Sequence, residues 1–246
     1  MGKAPRIRLF VDAPLSRQED VVCDKPQVNY LLNVMRLASG AEIAVFNGKD
    51  GEWAARLVVT GKRAVYLEPF ELLKPQVSGP DLQYLFAPLK RARLDYMVQK
   101  AVEMGAMRLR PVMTQHCQVK GVNLERMRAN GIEAAEQCGL LAIPEIDEVI
   151  SLTNLIDRWD ESRHMVFCDE GAALSNPLMA LKEIESKSKS FAVLIGPEGG
   201  FSEDERRLLR AQSFVTPLAL GPRIMRADTA AVAALSLVNA VLGDWR

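Results

Sequence analysis

The sequence is poor in the residues from which metal and imidazole chemistry is built. Of its 246 residues only two are histidine and four are cysteine. The cysteines stand at 23, 117, 138 and 168, with no pair at zinc-ligand or redox spacing. No metal site and no histidine-based catalysis are therefore expected. Unpaired cysteines in a chain of this size suggest a reducing compartment. No stretch reaches the roughly 18 apolar residues that cross a bilayer. The opening segment, MGKAPRIRLFVDAPL, has no apolar leader. A cytoplasmic protein with no membrane contact is the expectation.

Net charge is also missing, with 31 Lys and Arg against 31 Asp and Glu. The neutral total hides an uneven distribution. Lys90 to Arg128 carries nine basic residues and three acids, whereas Glu133 to Glu185 carries twelve acids. The basic stretch could track phosphates, although a solvated helix face with counterions would look the same.

The first seventy or so residues read as short strands. Arg6 to Val11 alternates, Glu42 to Phe46 leads into the turn signal Asn47-Gly48, and extended patterns resume at Trp53 to Thr60 and Arg63 to Phe70. Val28 to Leu37 has helical apolar spacing. A small barrel over 1–73 is predicted. Residues 74–80, with two prolines and a glycine, read as a linker. From 81 to 246 strands alternate with helices, which implies an α/β domain. Its strands are placed at 82–89, 108–113, 164–168 and 191–195, and its helices at 92–104 and 124–138.

Two segments stand apart from generic α/β sequence. In IGPEGGFSEDE a buried strand ends at Ile195, and Gly196, Pro197, Glu198, Gly199 and Gly200 form a turn. Ser202 and Glu205 then make a capping box. The turn is neither a GxxxxGK[ST] loop nor a GxGxxG fingerprint, and acids at the helix start would repel a phosphate. A cationic ligand such as a sulfonium is easier to house beside Glu198. In LALGPRIMRADTAAV a strand ends at Leu220 and Gly221-Pro222 turns the chain. Arg223 and Arg226 follow, before an apolar helix over 230–242 capped by Asp228 or Thr229. The first of these turns should stand at the carboxyl edge of the sheet, where α/β folds bind ligands. Arg226 could instead pair with Asp228 or Glu198. Lys100 and Glu103 read equally as a helix-surface pair, and His116 reads as a surface loop residue.

These two segments resemble the C-terminal signatures of the bacterial 16S rRNA (uracil-N3) methyltransferase family, of the SPOUT superfamily. KRARLDYMVQKAVEMG (90–105), EAAEQCGLLAIP (133–144) and YLLNVMRLASG (30–40) resemble further motifs of that family, in its order and through both domains. The family usually has His at Tyr30, Arg at Leu140 and Glu at Asp228. The resemblance implies a PUA-like RNA-binding β-barrel followed by a SPOUT α/β domain with a C-terminal trefoil knot. It implies a homodimer, with the 230–242 helix as an interface candidate. It also implies S-adenosylmethionine as cofactor, held by Ile195 to Gly200, Leu220, Gly221, Ile224, Met225, Arg226 and Thr229, with Cys168-Asp169-Glu170 at the pocket wall.

The implied reaction is methylation of N3 of a decoding-region uridine of 16S rRNA in the small ribosomal subunit. Losing the imide proton needs a base, for which Asp228 and Glu198 are candidates, and Arg226 would offset charge on O2 or O4. Arg6, Arg8, Arg36, Lys90, Arg91, Arg93 and Arg223 are the candidate RNA contacts. Two alternatives stay open: a SPOUT enzyme of other specificity, such as a tRNA or rRNA 2′-O-methyltransferase, and a non-enzymatic ribosome-assembly factor.

Overall fold

The structure, a computed structural model, describes residue 5 and residues 7–61, 64–173, 176–185 and 188–245. Arg6 lies outside the described residues. The chain divides into two compact units: 1–79 with 135–143, and 80–134 with 144–246.

In the first unit, β1 (Arg8–Phe10), β2 (Val21–Val22), β3 (Glu42–Phe46), β4 (Glu52–Val59) and β5 (Val65–Lys74) form one sheet. Its order is β1-β3-β4-β5-β2. β1 runs parallel to β3, and the remaining pairs are antiparallel. The period-two pattern explains the core. Ile43 and Val45, Ala55 and Leu57, and Val65 and Leu67 turn to one buried cluster with Leu9, Val11 and Leu31. Asn47 makes the β3–β4 turn by accepting the amides of Lys49 and Asp50 on its side-chain oxygen. The β4–β5 register slips near Ala54 and Ala55, opposite Pro69, which has no N–H to give a ladder.

The helix expected over 28–37 is different in kind and starts earlier. α1 (Lys25–Asn29) opens on a capping box between Asp24 and Gln27. It passes into a π-helical turn, Tyr30–Val34, in which the Met35 amide reaches the Tyr30 carbonyl at 2.9 Å. Arg36 then takes a left-handed conformation, φ 54°, and the Leu37 amide closes back on Leu31 at 3.0 Å.

The 135–143 segment belongs to this unit because Arg8 holds it. The guanidinium donates to the carbonyls of Ala135, Glu136 and Leu140 at 2.6–2.8 Å, while its Nε donates to Glu52 at 2.5 Å. It also lies over the Phe46 ring, 4.4 Å from the centroid. Lys74 supplies Glu52 with a second partner at 2.9 Å. Burial pushes the Glu52 carboxyl pKa up, but Lys74 and Arg8 outweigh it and leave the group below its ordinary value. The expected linker overlaps this structure at Lys74, where β5 ends.

The second unit is built on β6 (Leu82–Phe86), β7 (Arg108–Met113), β8 (Glu145–Ile146), β9 (Ile150–Ser151), β10 (His164–Cys168), β11 (Phe191–Ile195) and β12 (Val215–Leu218). The order is β12-β10-β11-β6-β7-β8, with β9 also on β7, and every pair is parallel. β6 and β11 are buried at every residue; β11 is the continuous apolar run expected in a parallel sheet, while β6 carries one polar residue, Gln83. The helices are α2 (Arg91–Glu103), α3 (Leu124–Cys138, of which 135–138 count with the first unit), α4 (Leu152–Asp157), α5 (Pro177–Ile184), α6 (Glu203–Arg210) and α7 (Ala227–Val241). α2 buries Leu94, Met97, Val98, Ala101 and Val102 at 3–4 spacing, and Gly105, φ 77°, follows its end.

α7 begins three residues before the predicted start at 230. Arg226 stands at its N-cap with no side-chain cap, and Asp228 sits in the first turn, where its carboxylate complements the helix dipole. The expected cap by Asp228 or Thr229 is corrected accordingly. Among the described residues, no helix is long and apolar enough to cross a membrane. The four cysteines are free thiols.

Candidate functional site

β10, β11 and β12 end side by side, and the chain leaving each turns over the carboxyl edge of the sheet. A cavity of about 260 Å³ opens there. It is lined by Ile195, Gly196, Pro197, Glu198, Gly199 and Gly200 from one turn, and by Leu220, Gly221, Arg223, Ile224 and Met225 from the other. Cys168, Asp169, Glu170 and Leu218 complete the strand-end wall, and Ala227 and Ala230 add the first turn of α7. The two segments that stood apart in the sequence thus enclose one space.

Each glycine of the first turn has its own reason. At Gly196 an added Cβ would come within 2.4 Å of the Phe201 ring. Phe201 is buried and meets Phe167 edge-on at 4.8 Å, so it plugs the turn into the core. At Gly199 the Cβ would stand 3.0 Å from that of His116. At Gly200, φ 69°, it would meet Glu170 Oε1 at 2.6 Å. Gly221 differs: φ is 125° and its Cβ would meet nothing within 4 Å, because that side faces open space.

Charge fixes the wall opposite. The Asp169 side chain is fully buried and accepts Arg206 Nε at 3.0 Å, with Arg210 on its other oxygen. Arg206 also reaches Glu170 at 2.6 Å and Glu203 at 2.8 Å. One arginine therefore ties the end of β10 to the start of α6. Burial, with Asp169 adjacent, pushes the Cys168 thiol up to about 12, so it stays protonated and is no nucleophile.

The proposed catalytic groups are differently situated. Glu198 lines the cavity and pairs with Arg93 at 3.4 Å, not with Arg226. Arg226 is exposed and makes no ion pair among the described residues. Neither Arg226 nor Thr229 lines the cavity. Asp228 accepts the amide of Thr229 at 2.9 Å.

Of the candidate RNA contacts, Arg8 is corrected: its guanidinium is spent inside the first unit and only 13% of the side chain is exposed. Arg36, Lys90, Arg91 and Arg223 are exposed. Arg223 lines the cavity mouth beside Ile224, which is 93% exposed. α2 starts on Lys90 without a side-chain cap, and its first turn holds cations and no acid. That is the reverse of what a helix dipole favours, and it leaves the first amides to water or an anion. Lys100 and Glu103 pair at 2.7 Å. The contacts of His116, Arg206 and Arg210 gave no local sequence signal. Among the described residues, no group of three or more His, Cys, Asp or Glu could hold a metal ion.

Residues 77–239 match the family described as an RNA methyltransferase domain. The chain belongs to that family. Residues 23–70 match the RNA methyltransferase PUA domain, so this RNA methyltransferase has an N-terminal PUA-like domain before its α/β domain. The methyltransferase is 29% identical to "Ribosomal RNA small subunit methyltransferase E" of Rickettsia conorii over 94% of each chain. A Bacillus subtilis protein of the same name is 29% identical over 87% of each. The fold is similar to that of a Ribosomal RNA small subunit methyltransferase E from Neisseria gonorrhoeae bound to S-adenosyl methionine. Identity there is 26% and the TM-score 0.87, over 98% of this chain and 99% of that one.

Proposed function

We propose that this methyltransferase moves the methyl group of S-adenosylmethionine to N3 of a decoding-region uridine of 16S rRNA, in the small ribosomal subunit. The observation that carries the reading is the convergence of two glycine turns and the end of β10 on one cavity at the carboxyl edge of a parallel sheet. Relatives named for small-subunit rRNA methylation, matched over nearly their whole length, support the substrate.

The residues present fit the cofactor. Ile195, Leu218, Leu220, Ala227 and Ala230 give apolar surface for an adenine, and the turns present backbone groups for its edge. Gly221 is the position where a side chain would project into the open space. Glu170 and Glu198 place carboxylates at a site meant for a sulfonium. When bound, S-adenosylmethionine supplies an electrophilic methyl group.

The chain supplies position and charge. The uridine must be unpaired or flipped out to offer its Watson–Crick edge. A carboxylate, Asp228 or Glu198, takes the N3 proton as the N3–methyl bond forms and the sulfur–methyl bond breaks. Arg226 offsets the charge that develops on O2 or O4. Its exposure and lack of an ion pair leave it free for substrate. Arg36, Lys90, Arg91 and Arg223 take flanking phosphates, with the uncapped start of α2 contributing amides. The C-terminal turns form the trefoil knot, and the enzyme is a homodimer built around α7.

The test is transfer of labelled methyl from S-adenosylmethionine to small subunits from a strain lacking this gene. Reverse transcription then locates the product, since an N3-methyl blocks pairing. A stop at the decoding-region uridine is the expected result. Transfer to tRNA or to a ribose would give the site another specificity, and RNA binding without transfer or cofactor binding would make the protein an assembly factor.

A further inference from the structure

We infer that His116 is a positioning residue for the cofactor turn. This rests on the reading of the cavity as a cofactor site. His116 lies in the loop after β7, and β6 separates β7 from β11 in the sheet. The loop nonetheless reaches the turn that follows β11. His116 Nδ1 stands 3.0 Å from the Gly199 carbonyl oxygen and 3.2 Å from that of Gly200. Both oxygens can only accept, so Nδ1 carries the proton and the neutral ring is the Nδ1–H tautomer.

Two further contacts make this a clamp and not a grazing approach. The adjacent Gln115 amide donates to Glu205 Oε1 at 2.7 Å. The other oxygen of Glu205 accepts the Ser202 amide at 2.9 Å in the α6 capping box. The loop thus holds both ends of the 199–205 segment. Second, an added Cβ at Gly199 would stand only 3.0 Å from that of His116, so the turn and the imidazole stem are packed without space for a side chain. On the far side, Glu170 Oε1 leaves no space for a Cβ at Gly200. The turn is confined between His116 and Glu170, and its carbonyls are aimed by the imidazole. Removing the donor leaves the Gly199–Gly200 peptide held only through its N–H, which donates to the Pro197 carbonyl at 2.9 Å, and leaves the Gly200 carbonyl without its donor.

The experiment has three readouts. Nitrogen-15 NMR of imidazole-labelled wild-type protein, without cofactor, reports the tautomer directly. An Nδ1–H signal for His116 is expected, and an Nε2–H neutral form overturns the inference. Calorimetric titration with S-adenosylmethionine then compares wild type with two variants. His116→Ala should weaken binding about tenfold, the worth of a well-made hydrogen bond. His116→Asn, whose Nδ2 amide donates from the same distance along the side chain, should restore most of it. With cofactor at saturation, His116→Ala should keep its kcat within about twofold, the loss falling on KM. Wild-type affinity in His116→Ala overturns the positioning role. No binding by wild type would overturn the cofactor reading instead, with the tautomer still deciding the hydrogen bond.

Discussion

Arg8 and Glu52 form a buried pair 44 residues apart in sequence, Nε to Oε2 at 2.5 Å, with 13% and 5% of their side chains exposed. The pair anchors three carbonyls of the 135–143 segment, so it defines which unit that segment joins. Replacing Glu52 by Gln leaves the Arg8 charge buried with a weaker partner. We expect a loss of about 3 kcal/mol in urea denaturation at neutral pH. The folded Glu52 pKa is depressed, so its contribution is complete above the unfolded value of about 4.3 and disappears as pH falls through the lower folded value. The wild-type stability advantage over Glu52→Gln should therefore shrink in acid. An advantage that is flat with pH would remove the carboxylate from the account.

Arg36 makes a prediction of opposite sign for stability and binding. It is the only described residue other than glycine with positive φ, and it is exposed. A left-handed non-glycine residue costs roughly 1 kcal/mol, partly offset by the freedom glycine gains on unfolding. Arg36→Gly should raise the melting temperature by a few degrees. It should also weaken RNA binding and flatten its salt dependence by about one counterion. Unchanged RNA affinity would take Arg36 off the RNA surface.

How far the sequence could be read differs by kind of interaction. The runs 164–168 and 191–195 were legible as buried parallel strands because every residue but His164 is apolar. The capping box at Ser202 was legible because its partners are three residues apart. The same signal existed at Asp24 and Gln27 and would have moved the first helix to its observed start. Apolar spacing does not distinguish an α turn from the π turn at Tyr30–Val34, since both keep one face apolar. Arg8 was misread for another reason, and the same reason hid the contacts of His116, which is the exposed loop residue the sequence suggested. Three of Arg8's acceptors and both of His116's are backbone carbonyls far along the chain, and a carbonyl has no letter in the sequence.

Ala230 offers a cleaner probe of the cavity than the glycines do. A Cβ at Gly196 or Gly200 collides with Phe201 or Glu170, and one at Gly199 crowds His116, so those variants disturb the wall itself. Ala230 is half-buried in the first turn of α7 and lines the cavity. Ala230→Leu keeps a strong helix former and projects three more carbons into the space. Cofactor affinity should fall at least about tenfold, measured by calorimetry, with stability held within about 0.5 kcal/mol. Full affinity in a folded variant would place the cofactor elsewhere.

Arg226 separates chemistry from binding. It stands at the N-cap of α7 without capping through its side chain, does not line the cavity, and has no ion pair among the described residues. Arg226→Ala should leave folding stability within about 0.5 kcal/mol of wild type. S-adenosylmethionine affinity should stay within a few-fold. Turnover should nonetheless drop by about 10²–10³, the usual effect of removing a donor from a developing negative charge. The comparison is single-turnover methyl transfer to small subunits against calorimetric cofactor binding on the same preparation. A variant that loses cofactor affinity along with turnover would make Arg226 a binding residue. Unchanged turnover would pass the electrostatic role to Arg223, the arginine that lines the cavity mouth.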